Sequence, residues 1–154
     1  HILLMGGGHC AKAIADACKP LDWNFSVQDS RAEYATLDGA KETHHSCPSD
    51  FLAQESQETL SRFSDILLLG HDWKEDEERL IGLLKLQYQG RLGVIGSKSK
   101  WNAFTKIALE SGISSETLSS VNCPIGLDIG AESPEEIAIA VLAEILASHK
   151  GISQ

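Results

Sequence analysis

Short runs of apolar residues alternate along this chain with stretches of helical spacing. The runs are Ile2-Leu3-Leu4-Met5, Phe25-Ser26-Val27-Gln28 ending in Asp29, Asp65-Ile66-Leu67-Leu68-Leu69, and Leu92-Gly93-Val94-Ile95. Continuous apolar runs of this length suit strands of a parallel sheet that are covered on both faces. Helical spacing follows the first run from Cys10 onward, spans Trp73 to Gln87 with Leu80, Ile81, Leu83 and Leu84 apolar, and spans Ser99 to Ser111 with Trp101, Phe104, Ile107 and Ala108 apolar. Asp50 is placed to cap a helix running to Ser61, and Lys41 to Ser46 reads as a short polar strand ending at Cys47-Pro48. Ser133, Pro134 and Glu136 form a capping box with proline at the first helical position, opening a helix from Ile137 to His149 that is apolar nearly all round. Alternating strands and helices with short connections predict one domain over residues 1–154, a doubly wound α/β fold with a mostly parallel sheet in a Rossmann-like three-layer arrangement.

In such folds ligands bind at the carboxyl ends of the strands, and four motifs lie at predicted strand ends. After the first run, Gly6-x-Gly8-x-x-Ala11 has the spacing of the dinucleotide fingerprint. Gly6 permits the tight turn, Gly8 lets a pyrophosphate approach bare backbone, and Ala11 keeps helix and strand close. Gly7 and His9 complete that turn, and the helix behind it offers unpaired amides and a partial positive charge to an anion. Asp29 follows Gly6 at close to the roughly 20-residue distance at which an acid takes a ribose hydroxyl, with Arg31 beside it. His71-Asp72 ends the Asp65–Leu69 run, and Gly96-Ser97-Lys98-Ser99-Lys100, the tightest basic cluster, ends the Leu92–Ile95 run. Lys98 and Lys100 are therefore candidate anion contacts.

Composition narrows the partners. A formal charge of -9 over 154 residues opposes a polyphosphate backbone, so nucleic acid is not expected. No apolar run approaches the roughly 20 residues of a membrane span, so no membrane is expected either. The chain opens into a strand rather than a leader, and Cys10, Cys18, Cys47 and Cys123 show no C-x-x-C pairing. Free thiols in a reducing cytoplasm are the expectation.

Several residues have plain structural readings. Asp72 is explained as an N-cap, which leaves His71 as the ligand-facing member of that pair. Glu135 and Glu136 are explained by capping, and Asp128 as a loop acid suited to pairing with a base. His44, His45 and Cys47, with His9 and Cys10, are zinc-type ligands, yet their spacing matches no recurrent zinc pattern, so the metal assignment stays open. No Ser-His-Asp or Cys-His order emerges, and no catalytic residue is assigned.

Taken together, Gly6-Gly7-Gly8-His9, Asp29-Ser30-Arg31, His71-Asp72 with Asp76, Tyr88-Gln89-Gly90 through Gly96-Ser97-Lys98-Ser99-Lys100, and Pro124-Ile125-Gly126-Leu127-Asp128-Ile129-Gly130-Ala131 with Pro134-Glu135-Glu136-Ile137-Ala138 resemble the C-terminal Rossmann-type domain of the xanthine dehydrogenase accessory factors, the XdhC/CoxI family. The loop around Gly126 is the specific part of this likeness. Gly70 stands where that family often has threonine. The resemblance implies an accessory protein that binds molybdenum cofactor, takes part in its sulfuration with a cysteine desulfurase, and delivers it to a molybdenum hydroxylase. It places Gly6, Gly7, Gly8, His9, Asp29, Arg31, His71, Asp72, Gly96, Ser97, Lys98, Lys100 and Gly126 around the cofactor. The fingerprint alone supports two alternatives, an NAD(P)-dependent oxidoreductase module and a nucleotide-binding regulatory domain. The helix from Ile137 to His149, too apolar to be covered by one sheet, adds the expectation of a homodimer.

Overall fold

A computed structural model describes residues 1–152. Five parallel strands, β1 (Ile2–Met5), β2 (Phe25–Asp29), β3 (Thr43–His45), β4 (Asp65–Leu68) and β5 (Arg91–Val94), lie in the order β3-β2-β1-β4-β5. The helices are α1 (His9–Cys18), α2 (Pro48–Ala53), α3 (Gln57–Leu60), α4 (Trp73–Lys85), α5 (Lys98–Glu110), α6 (Ser115–Ser119) and α7 (Pro134–His149). Successive side chains of β1 divide between the two faces, as a strand's two-residue period requires. Leu3 and Met5 join Ile66, Leu68, Leu80, Leu83 and Phe104 on one side, while Ile2 and Leu4 join Ile14, Leu67, Val141 and Ile145 on the other. The sheet is thus sandwiched between α1 with α7 and the group led by α4 and α5, the doubly wound arrangement expected.

Three local departures from the sequence reading have visible causes. The helix expected from Asp50 to Ser61 is two short ones, because Pro48 starts α2 and a Ser56–Thr59 capping box restarts the chain as α3. Only Thr43 to His45 of the polar 41–46 segment forms a strand, along the sheet edge beside Val27, Gln28 and Asp29. Helix α6 lies outside the elements that apolar periodicity predicts, although Ser114, whose hydroxyl accepts the amide of Thr117, carries its starting signal. The loop after α6 lies along the free side of β5. Asn122 bridges Gly93 in parallel, and the Ile125 amide donates to the Val94 carbonyl at 3.0 Å. Gly93 is required there, since a Cβ would strike the side chain of Ile125.

A buried chain of polar contacts crosses one face of the sheet near its carboxyl end. Gln28 of β2 donates to the Ser46 carbonyl at 2.6 Å and accepts from Arg79 Nε at 3.1 Å. Arg79 Nη1 donates to Asp76 Oδ1 at 2.8 Å, and Lys100 Nζ donates to Asp76 Oδ2 and to the Ile95 carbonyl, both at 2.9 Å. Asp76, Arg79 and Lys100 are all buried. Lys100 is therefore not the anion contact anticipated from the basic cluster: its ammonium is consumed by a carboxylate and a carbonyl inside the fold. The Gly70 amide also donates to Asp76 Oδ1, at 3.2 Å, and a Cβ on Gly70 would collide with Arg79 and Asp76.

Removing one member of a buried ion pair leaves the other charge desolvated. Lys100→Met should therefore lower unfolding stability by about 3–5 kcal/mol, measured by urea denaturation, whereas Lys98→Met, at an exposed position, should change it by no more than about 0.5 kcal/mol.

Candidate functional site

The turn after β1 is shaped by backbone crowding. Gly6 takes a φ of +112°, and a Cβ there would lie 2.7 Å from the Leu69 carbonyl carbon, so only glycine lets the first turn back onto the end of β4. Gly7 has no room for a side chain either, since a Cβ would overlap the Tyr34 carbonyl. Gly8 is different: it has an ordinary extended conformation and open space around it, and it begins α1 without any side-chain cap. Among the helices of ten residues or more, α4, α5 and α7 are capped by Asp72, Ser97 and Ser133, so the first-turn amides of α1 are the ones left for an external acceptor. A cavity of about 260 Å³ adjoins them, lined by Gly7, Gly8, His9, Lys12 and Tyr34 and also by the acidic Asp16, Glu33 and Asp38, and Lys12 Nζ donates to Asp16 Oδ2 at 3.0 Å.

Asp29 ends β2 almost fully buried, at 1% exposure. Its Oδ2 accepts the Gly7 amide at 2.8 Å and Arg31 Nη2 at 3.1 Å, while Oδ1 accepts the Arg31 amide at 2.9 Å and Arg31 Nε at 3.1 Å. Burial pushes its carboxyl up, but the Arg31 guanidinium and the two amides outweigh this and hold it below the usual carboxylate range. Asp29 thus ties the glycine turn to β2, and neither of its oxygens is left free for a ribose as the fingerprint anticipated.

The other sequence-predicted residues divide. His71 is exposed, and Asp72 caps α4 by accepting the Lys74 amide at 2.8 Å. With Glu75 they bring ligand atoms within 4.8 Å of one another, the metal-type group found among the described residues, but Glu75 already accepts the Ser30 hydroxyl at 2.9 Å. His44 instead pairs with Glu42 at 2.9 Å. Gly96, at φ +150°, packs against the stem of Lys100, Ser97 caps α5, and Lys98 is exposed at the start of that helix. Gly126, at φ +108°, lets its loop close onto α7, where the Leu127 amide donates to the Ala140 carbonyl at 3.1 Å. That glycine holds the loop on a helix, not at the α1 cavity. Asp128 is exposed and joins no ion pair among the described residues, and Glu136 closes the capping box as read. Lys12 and Tyr34, which sequence reasoning does not single out, line the cavity. Lys12 lies one helical turn beyond Gly8 and is legible by that spacing, whereas nothing local marks Tyr34. All four cysteines are unpaired, and burial with Glu135 nearby holds the Cys10 thiol above its usual range. A cavity of about 820 Å³ around Tyr88 and Ile113 includes none of the strand-end motif residues in its lining.

Comparison with known proteins agrees with this architecture. The family model described as the XdhC Rossmann domain matches residues 2–145. The Escherichia coli K12 protein named YqeB, described as uncharacterized, is 30% identical over 145 residues, covering 94% of this chain and 26% of that protein. A Bacillus subtilis 168 protein described as a probable xanthine dehydrogenase subunit is 26% identical over 156 residues, covering 99% of this chain and 44% of the relative. The chain therefore spans less than half of the length of these relatives. A crystal structure described as a xanthine dehydrogenase from Bacillus halodurans superposes with a TM-score of 0.78 at 23% identity, over 99% of this chain and 43% of that one. A Myxococcus stipitatus imine reductase in complex with NAD+ superposes at 0.50 with 12% identity, over 97% and 62% of the two chains. At these identities both structures speak to the fold alone.

Because the Asp29 carboxyl is held below its ordinary value, its contribution to stability is fully present above the unfolded pKa of about 3.9 and is lost as pH falls through the folded value. Asp29→Asn should accordingly be destabilised relative to the parent at pH 7. The gap between the two urea unfolding curves should narrow in acid below about pH 3.9.

Proposed function

The chain belongs to the XdhC family by its Rossmann domain, and from that membership we propose that it is the cofactor-binding part of an accessory protein that matures a xanthine dehydrogenase-type molybdenum hydroxylase. The observation that carries the reading is the uncapped start of α1 facing a cavity beside Lys12. A phosphate suits that place, because free amides and the helix dipole favour an anion, and the Lys12 ammonium, in an exposed pair with Asp16 at 3.0 Å, is within the same lining. The amides of His9 and Cys10 would hold the phosphate of a pterin-type molybdenum cofactor, with Lys12 and the exposed Lys98 adding positive charge. The Gly7 amide and Lys100 do not take part, being bonded to Asp29 and Asp76. The molybdenum chemistry is the cofactor's own, and the chain's part is to hold and present it. Cofactor sulfuration then involves a cysteine desulfurase, and insertion involves the hydroxylase, as partners. A cytoplasmic setting accords with four unpaired thiols.

The same reading includes a homodimer. In α7, Ala138, Val141, Leu142 and Ile145 are buried against the rest of the chain, while Ile139 is 62% and Leu146 41% exposed, leaving an apolar outer face to be covered.

Equilibrium dialysis against purified molybdenum cofactor is expected to show retention at micromolar concentrations, and folded protein that retains none would overturn the proposal. Gly8→Asp is the sharper probe, since the position has room and suits an N-cap, yet the added carboxylate would occupy the phosphate's place. Retention should fall at least roughly tenfold with thermal stability unchanged. For the assembly, light scattering should report a dimer that Ile139→Lys converts to monomer.

A further inference from the structure

In a dinucleotide-binding Rossmann domain the acid at the end of the second strand accepts the ribose hydroxyls, beside a pyrophosphate lying on the glycine turn. This chain has the residues of that fingerprint and turns them inward. Both oxygens of Asp29 are occupied, by the Gly7 amide and by the amide, Nε and Nη2 of Arg31, all between 2.8 and 3.1 Å. A ribose diol would have to displace a charged, two-pronged guanidinium with neutral hydroxyls and leave that cation without its carboxylate. Arg31 also fixes the path of the chain through Tyr34. Its guanidinium lies 3.8 Å from the centre of the Tyr34 ring, and the Tyr34 amide donates to the Arg31 carbonyl at 3.0 Å. The turn so formed lays the Tyr34 carbonyl directly over Gly7. The chain's own 31–34 segment therefore stands against the glycine turn on the side of Asp29.

We infer that Arg31 is a specificity-determining residue: by capping Asp29 and holding Tyr34 over Gly7, it closes the ribose place of the fold, so that the start of α1 takes a phosphate not carried on a ribose diol. This reaches past the maturation role proposed above, and rejection of dinucleotides holds whichever phosphate-bearing ligand the turn accepts.

Calorimetric titration of the whole chain with NAD and with NADP tests it. The parent protein should bind neither below about millimolar concentration. Arg31→Ala, shown to be folded by its thermal transition, frees Asp29 and removes the guanidinium from over the Tyr34 ring, and should bind NAD at least roughly tenfold more tightly than the parent does. It should gain nothing for NADP, whose 2′-phosphate the uncovered carboxylate repels. Arg31→Lys, which keeps the charge but not the two-pronged fork, should fall between them, and serves if the alanine variant does not fold. Micromolar binding of NAD by the parent would overturn the inference. So would micromolar binding of NADP, which would mean that Arg31 swings out to grip the 2′-phosphate, and so would a folded Arg31→Ala no better than the parent for NAD. Failure of cofactor retention in the dialysis above leaves each of these outcomes readable.

Discussion

Much of this structure depends on one carboxylate buried between two cations. Asp76 is shared by Arg79 and Lys100, and through them the contacts extend to Gln28 and the Ser46 carbonyl on one side and to the Ile95 carbonyl on the other. A charge out of water is tolerated only when paired and hydrogen-bonded, and here the pairing partners come from two different helices and the acceptors from the ends of three different strands. The carboxyl ends of the strands, where the fold gathers its functional loops, are thereby held in one arrangement. The network also gives Gly70 its reason: the position lies against Asp76 and Arg79, and any side chain there would displace the ion pair.

On the side of the turn the same economy recurs at smaller scale. Asp29 satisfies the Gly7 amide, Asp72 the start of α4, Ser97 the start of α5, and Ser133 with Glu136 the start of α7. Among the described helices of ten residues or more, the start left without a side-chain cap is that of α1, beside Gly8 and next to a cavity. The proposed phosphate place is marked by subtraction, as the long-helix start at which side-chain caps run out.

Some of the site was legible before any coordinates. The spacing Gly6-x-Gly8-x-x-Ala11 places a crowded turn and a helix start, because the steric need for glycine is local and backbone-based. The capping signals at Asp72 and Ser133 were likewise local, and both are realised. The roles of Arg31, Lys100 and Gly126 were not legible. Lys100 sits among exposed residues in the sequence, and only the placement of α5 against Asp76 of α4, 24 positions earlier, shows that its charge is spent. Asp29 stands at the expected distance for a ribose, but whether it faces a ligand or its neighbour two residues on depends on how the 31–34 segment turns.

The sequence by itself determined the alternation of the main strands and helices, the parallel sheet and the glycine turn, since these rest on hydrophobic period, steric size and capping chemistry between near neighbours, and its motif set carried the likeness to the family. Tertiary structure alone decided which charges are free. Whether a lysine or an aspartate meets a ligand or a buried partner depends on contacts between residues distant in the chain, and it is set by the energy of removing charge from water, which no local pattern of residues reports.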